Sequence, residues 1–231
     1  MEKLDILVFG AHADDAEIGM GGTIAKHTSA GYRVGICDLT EAEMSSNGTV
    51  ELRRQEAAQA SAVLGLYART NLGLPDRGLQ PSREQIEAVV AEIRRWQPRY
   101  VFAPYWVDRH PDHIACSKLI EEAVFNAKLR QYMPDTPPAQ VEQLFYYYIN
   151  DMEQVSLLVD VTSAYEAKRA ALRAYRSQFD RSATGDSVET PLTNGYLERV
   201  EARDYLLGQS RGWSYAEGFA IKKPHQVTFF E

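Results

Sequence analysis

Residues 4–19 read LDILVFGAHADDAEIG. The apolar run at its start has the composition of a buried β-strand, and Gly10 marks the exit of the chain into a turn. Into that turn are packed His12, Asp14, Asp15 and Glu17. Side-by-side carboxylates repel, so the arrangement is unfavourable unless a cation, a proton or ample water compensates. The stretch therefore sets the first element of the fold and poses the question of what balances its charge.

Outward from it, RVGICDLT (33–40), RTNLGL (69–74) and RYVFAP (99–104) are further short β-rich runs. Between them lie segments with helical spacing: EIGMGGTIAKHTSAG (17–31), TVELRRQEAAQASAVLGL (49–66) and SREQIEAVVAEIRRWQ (82–97). Strand alternating with helix predicts an α/β fold, a mainly parallel sheet with helices on both faces and a ligand site at the carboxyl ends of the strands. Downstream, PDHIACSKLIEEAVFNAKL (111–129) reads as a long helix, and QLFYYYIN (143–150) and VSLLVDVT (155–162) as strands. YEAKRAALRAYRSQF (165–179) and YLERVEARDYLLGQ (196–209) read as helices, and YAEGFAIKK (215–223) as a late strand or a lid. No repeat or low-complexity tract interrupts the chain, so a single domain over residues 1–231 is expected.

With 45% hydrophobic residues the chain can bury one substantial core. Its net charge of -7 and pI near 5.3 argue against a nucleic-acid groove or an anionic membrane surface as the main partner, and favour a small-molecule substrate. Cys37 and Cys116 are too few for a disulfide framework. With no signal peptide and no apolar run long enough to span a bilayer, a soluble cytoplasmic protein is expected.

Gly19, Gly21 and Gly22 follow the first strand, and Asp38 ends the second where a ribose-binding acid would lie, which raises dinucleotide binding. The chemistry opposes it. A pyrophosphate needs bare N–H groups and positive potential at that turn, and here it would meet Asp14, Asp15 and Glu17. The glycines are better explained as allowing the first helix to pack closely on the sheet.

A second stretch, YWVDRHPDH (105–113), also follows an apolar strand. Pro111 suits the first turn of a helix, and His110 and His113, at i and i+3, can face one side of it. Asp108 could hold His110 as an imidazolium or fix its tautomer. Taken alone, an Asp in such a turn is more often a helix cap, and a lone His a hydrogen-bonded surface residue. Convergence of the two stretches at one sheet edge changes the balance. His12, Asp15 and His113 then make a two-histidine, one-carboxylate set with an open position, the composition of a catalytic zinc site. Asp14 remains as a base.

The paired motifs AHADDAEIGMGGTIAKH (11–27) and RHPDHIACSKLIEEA (109–123) resemble those of the LmbE/PIG-L family of zinc-dependent N-deacetylases. GICDLTEAEMSSNGTVELRRQE (35–56), LGLPDRGL (72–79) and TPLTNGYLERVEARD (190–204) extend the likeness over most of the chain, closest to the subgroup that acts in bacillithiol biosynthesis. The resemblance implies a Rossmann-like core, one Zn2+ per chain on His12, Asp15 and His113, and Asp14 as general base. It implies an N-acetylglucosamine conjugate as substrate, N-acetylglucosaminyl malate foremost, and a homo-oligomer, hexamers being known in the subgroup. Another N-acetylated sugar such as a chitin oligomer, or a metal- or nucleotide-binding protein without turnover, are the alternatives.

On this reading His110 stabilises the oxyanion, and either Asp14 or His110 protonates the departing amine. Arg53 matches a substrate-contacting position of the family, with a solvated helix face as its bland alternative. Arg109 could meet a substrate carboxylate, or simply pair with Asp108. Tyr196 resembles a substrate-side tyrosine, though packing beneath a loop explains it as well. His27 and His225 lie outside both motifs and are expected to be structural.

Overall fold

The computed structural model describes residues 2–181 and 187–226. The strands are β1 (Ile6–Gly10), β2 (Val34–Thr40), β3 (Ala68–Leu74), β4 (Tyr100–Pro104), β5 (Gln143–Tyr147), β6 (Leu157–Asp160) and β7 (Ala216–Ala220). They form one sheet in the order β3-β2-β1-β4-β5-β7-β6. β1 to β5 pair in parallel, while β7 lies antiparallel between β5 and β6. The segment that reads as a late strand or a lid is therefore an interior strand.

The helices are α1 (Asp15–Ser29), α2 (Val50–Leu64), α3 (Arg83–Trp96), α4 (Pro111–Ala127), α5 (Tyr165–Ala174), α6 (Arg176–Phe179) and α7 (Tyr196–Gln209). Every residue of β1 and β2 is buried, because helices cover both sheet faces and the strands become continuous apolar runs. Alternate side chains of β1 enter different layers. Ile6 and Val8 pack with Ile18, Ile24, Ala57 and Leu172. Leu7 and Phe9 pack with Val89, Ile93, Leu119 and Ile120 of α3 and α4. No helix among the described residues is long and apolar enough to cross a membrane.

The chain runs from β1 outward through β2 to β3, then crosses back through α3 to place β4 on the other side of β1. Strand order reverses there, and the connections after β1 and β4 diverge to leave a crevice at their carboxyl ends. Both motif stretches emerge into it.

Helix boundaries depart from sequence expectation in two places. Residues 165–179 form α5 and α6, broken at Tyr175, whose buried hydroxyl donates to Glu17 Oε1 at 2.8 Å. α1 begins at Asp15 and is interrupted at Met20, which has φ −150° and ψ 24°. Beyond that break the amides of Gly22 and Thr23 donate to Glu217 of β7 at 2.9 and 2.6 Å. Lys168 Nζ donates to Glu217 and to Asp204, each at 2.6 Å, so this buried charge is paired.

The glycines of α1 serve packing, as expected. A Cβ on Gly19 would lie 2.1 Å from the Tyr147 ring. Gly19→Ala should therefore destabilise the protein by about 1–3 kcal/mol, since the overpacking cost exceeds the ~1 kcal/mol that alanine gains in helix propensity. A lowered midpoint in chemical denaturation checks this; an unchanged or raised midpoint would contradict the tight helix–sheet contact.

Candidate active site

At the exit of β1, Ala11 O accepts from Thr40 N at 3.1 Å and Thr40 Oγ1 at 2.9 Å, anchoring the turn to β2. His12 N donates to Asp15 Oδ2 at 2.9 Å, closing it. Asp14 is left with φ 121°, a conformation that costs a non-glycine residue about 1–3 kcal/mol. Ala42 and Arg77, which line the same cavity as Asp14, also have positive φ. Three of the five non-glycine residues with positive φ among the described residues thus border one space, Gln97 and Met133 lying elsewhere.

At the exit of β4, Pro111 opens α4 and His110 caps it, its Nδ1 accepting from Asp112 N at 3.2 Å. Asp108 Oδ1 accepts from His113 Nδ1 and Asn150 Nδ2, both at 2.9 Å, and from His110 N at 2.8 Å. This corrects the expected pairing of Asp108 with the His110 ring. Capping turns the His110 ring toward Asp112 N, while His113, one turn into the helix, faces back to the strand end where Asp108 sits. The Arg109 side chain does not pair with Asp108 either; its backbone N–H donates to Asp151 at 2.6 Å.

These bonds decide where the imidazole lone pairs point. His113 Nδ1 is committed to Asp108, and His12 Nε2 faces Asp76 Oδ1 at 3.3 Å and Asp112 Oδ2 at 3.6 Å. That leaves His113 Nε2 3.1 Å from Asp15 Oδ1, and His12 Nδ1 3.6 Å from Asp15 Oδ2. A lone pair against a carboxylate is repulsive unless a proton or a metal ion lies between them. Protons can fill the role in the chain alone. Although burial opposes charge on His113, Asp15 and Asp108 raise its pKa to about 9. Burial likewise opposes charge on His12, yet hydrogen bonds to Asp112, Asp15 and Asp76 hold its pKa well above the usual 6.5. Burial works to raise the Asp15 pKa, but His113 and His12 keep it well below the ordinary carboxylate value.

A divalent cation could replace both protons, and the residues present fit one. Each imidazole offers one nitrogen toward Asp15 and is backed by a carboxylate at the other, the arrangement that orients metal-ligating histidines. Nitrogens of His12, His110 and His113 lie within 4.8 Å of one another, and His12 makes a second such group with Asp76 and Asp112.

The crowded acids of the opening turn have separate partners. Asp14 Oδ2 lies 3.3 Å from Arg53 Nη1, which also donates to Ala13 O at 2.6 Å. Burial raises the Asp14 pKa to about 7, with Arg53 opposing and Asp15 adding to the rise. Glu17 Oε1 accepts from Arg69 Nη1 at 2.6 Å, and the same guanidinium grips both oxygens of Asp38 at 2.7 and 3.0 Å. Asp38 is a structural anion rather than a ribose-binding group. Arg53 is buried, not on a solvated face, while Arg54 beside it is exposed and pairs with Glu41.

A cavity of about 540 Å³ opens over these groups. Arg109 stands exposed at its edge, and among the described residues no acid pairs with its guanidinium. Tyr196 is buried, its hydroxyl donating to Asn150 Oδ1 at 3.0 Å, so it supports the Asn150–Asp108–His113 chain while also lining the cavity. On the opposite wall, the Asn47 side-chain amide exchanges two hydrogen bonds with the Val188 backbone, at 2.9 and 2.8 Å. Gln178 donates to Asn47 O at 2.9 Å, fixing the loop that presents Thr190 and Leu192.

Sequence reasoning missed Asp76, Asp112, Asn150, Asn47, Gln178 and Arg69. Asp112 lies inside the second motif, where an acid in a helix's first turn passes as ordinary dipole compensation. Asp76 and Asn47 lie in stretches matched to the family, but nothing in their local pattern marks a contact. His27 Nδ1 bonds to Thr23 O at 2.7 Å, and His225 stands against Tyr100 and Phe145, both away from the cavity.

The sequence matches the family profile described as "PIG-L: GlcNAc-PI de-N-acetylase" over residues 7–124, from β1 into α4. Diacetylchitobiose deacetylase of Thermococcus kodakarensis is 28% identical over 92% of this chain and 81% of its own length. The probable N-acetyl-alpha-D-glucosaminyl L-malate deacetylase 2 of Bacillus subtilis is 28% identical over 76% of this chain and 84% of its own. In structure, the conserved protein TT1542 of Thermus thermophilus superposes with a TM-score of 0.90 at 40% identity, covering 99% of each chain. The matched profile includes both motif stretches, and the chain accordingly belongs to the PIG-L family and is an N-deacetylase of N-acetylglucosamine-type substrates.

Proposed function

We propose that the chain holds one catalytic divalent metal, zinc by the chemistry of its donors, on His12, Asp15 and His113, and deacetylates an N-acetylglucosamine conjugate. The observation that carries this reading is the Asp15 carboxylate between His12 Nδ1 and His113 Nε2, with Asp14 beside it and raised to about 7. Other donors are less suited. His110 Nδ1 is occupied by Asp112 N. Asp76 and Asp112 accept the amides of Met44 and Arg77 at 3.0 and 2.9 Å while backing His12.

Bound there, a divalent cation supplies Lewis acidity, acidifying water and polarising a carbonyl. Asp14 takes the proton from the attacking water, and a pKa near 7 matches that task at neutral pH. Because the His110 Nδ1 accepts a backbone N–H, its neutral ring carries the proton on Nε2 and can donate a hydrogen bond to the developing oxyanion. Burial, then the charges on His113 and His12, push the His110 pKa below 6.5, so the ring is a poor reservoir for a second proton. Asp14 is then the group that returns the proton to the departing nitrogen.

The substrate reading favours an acidic aglycone, N-acetylglucosaminyl malate foremost. A cavity of about 540 Å³ exceeds what a lone monosaccharide needs, and Arg109 at its edge is free to meet a carboxylate. Arg53 is not, being committed to Asp14, Ala13 O and Ser45 Oγ. A chitin oligomer is the second reading, supported by the similarity to the Thermococcus enzyme.

Three outcomes test the reading. Metal-depleted protein should take up one Zn2+ per chain, and His12→Ala, Asp15→Ala and His113→Ala should each lose it by elemental analysis; retention in all three would remove the ligand set. Asp14→Asn should keep the metal and lose ~10²–10⁴ of kcat. In the unmodified enzyme kcat/KM should rise with pH through a single ionisation at or below about 7, since a neighbouring cation lowers a carboxyl pKa and the ionised base is the active form. That limb should vanish in the variant, and its persistence would point to another base. Finally, N-acetylglucosaminyl malate should be preferred over diacetylchitobiose, and Arg109→Ala should cut the preference by roughly ten- to a hundredfold, the value of one charged hydrogen bond. Equal kcat/KM for both sugars would remove the acidic aglycone and leave the deacetylation standing.

A further inference from the structure

The break in α1 at Met20 divides its acidic first turn from the rest of the helix. Glu217 receives the amides beyond the break, as described above. The carbonyl before it, Ile18 O, accepts from Arg203 Nη2 at 2.9 Å. Arg203 Nε donates to Asp204 Oδ1 at 3.0 Å, and Asp204 is shared with Lys168, which reaches Glu217. Arg203, Asp204, Lys168 and Glu217 therefore form a chain of alternating charges that sums to zero and serves the backbone on both sides of the break.

The remaining nitrogen of that guanidinium, Nη1, donates to Tyr148 O and Ile149 O, both at 3.0 Å. These carbonyls immediately precede Asn150, whose side chain holds Asp108 and through it His113. One planar group thus grips the turn that bears Asp14 and Asp15 and also the strand exit that orients His113. The fork geometry is what permits this, for a lysine ammonium has the charge but cannot reach carbonyls so far apart.

We propose that Arg203 is a positioning residue for the metal site, fixing the separation of Asp15 and His113 although it touches neither. The inference rests on the metal-site reading above for its consequence in catalysis.

The test is Arg203→Lys, with Arg169→Lys as the matched control. Arg169 is a partly buried arginine joined to Glu166, Glu201 and Tyr215, and it touches neither arm of the site. Folded Arg203→Lys should bind Zn2+ about ten- to a hundredfold more weakly, as loss of an outer support does, and lose kcat with KM little changed. In metal-free protein labelled with ¹⁵N-histidine, the His12 and His113 resonances should shift in Arg203→Lys and stay in place in Arg169→Lys. Wild-type affinity and unshifted resonances in folded Arg203→Lys would overturn the proposal. Shifted resonances in a protein that binds no metal would instead remove the metal reading and leave the positioning role. Should Arg203→Lys not fold, Asn150→Ala cuts the same path nearer the site; it should weaken Zn2+ binding in the same range, and unchanged affinity there would equally overturn the proposal.

Discussion

The Asp15 carboxylate meets His113 at 3.1 Å and His12 at 3.6 Å, and those two imidazoles arrive from the exits of different strands. Contact across the crevice is possible only because strand order reverses between β1 and β4, so that the two chain exits face each other. Two imidazole nitrogens and a carboxylate at this distance repel unless protons or a metal ion lie between them. The rest of the site is arranged around that contact: carboxylates behind each imidazole fix its orientation, and a second acid, Asp14, stands beside Asp15.

Holding so much negative charge at one end of a sheet requires counter-charges that do not enter the cavity as ligands. Arg69 is shared between Glu17 and Asp38 below the site, while Arg53 steadies Asp14 without suppressing the rise in its pKa. The difference lies in geometry. Arg69 grips Asp38 through two short bonds, whereas Arg53 approaches Asp14 at 3.3 Å and spends its shorter bond on a backbone carbonyl. One arginine makes a fixed ion pair, and the other leaves a carboxyl able to change protonation state.

Much of this is legible in the sequence because it is local. Short apolar runs alternating with helical segments identify the parallel strands, and each motif follows its strand directly, so His12, Asp14, Asp15, His110 and His113 fall together. The partner of Asp108 is not legible, because it depends on which way a capping histidine turns, a matter of helix geometry rather than spacing. The position of β7 is hidden for a different reason: an interior antiparallel strand and an edge strand share the same short apolar pattern. Asp76, Asn47 and Arg69 act across gaps of 52 to 141 residues, and no periodicity encodes such contacts.

The place of β7 has a consequence for how the chain is made. It is the last strand in sequence among the described residues, yet it lies between two earlier ones and brings Glu217 to the broken helix beside the first. A chain released only as far as β5 has its parallel core but leaves the amides of Gly22 and Thr23 without Glu217 to receive them. Until β7 docks, β5 is an open sheet edge, and the contacts of longest sequence separation are the slowest to form. The acidic turn, held by Thr40, Arg53 and His113, needs none of these late contacts, whereas the helix beyond Met20 gains its carboxylate only when β7 docks.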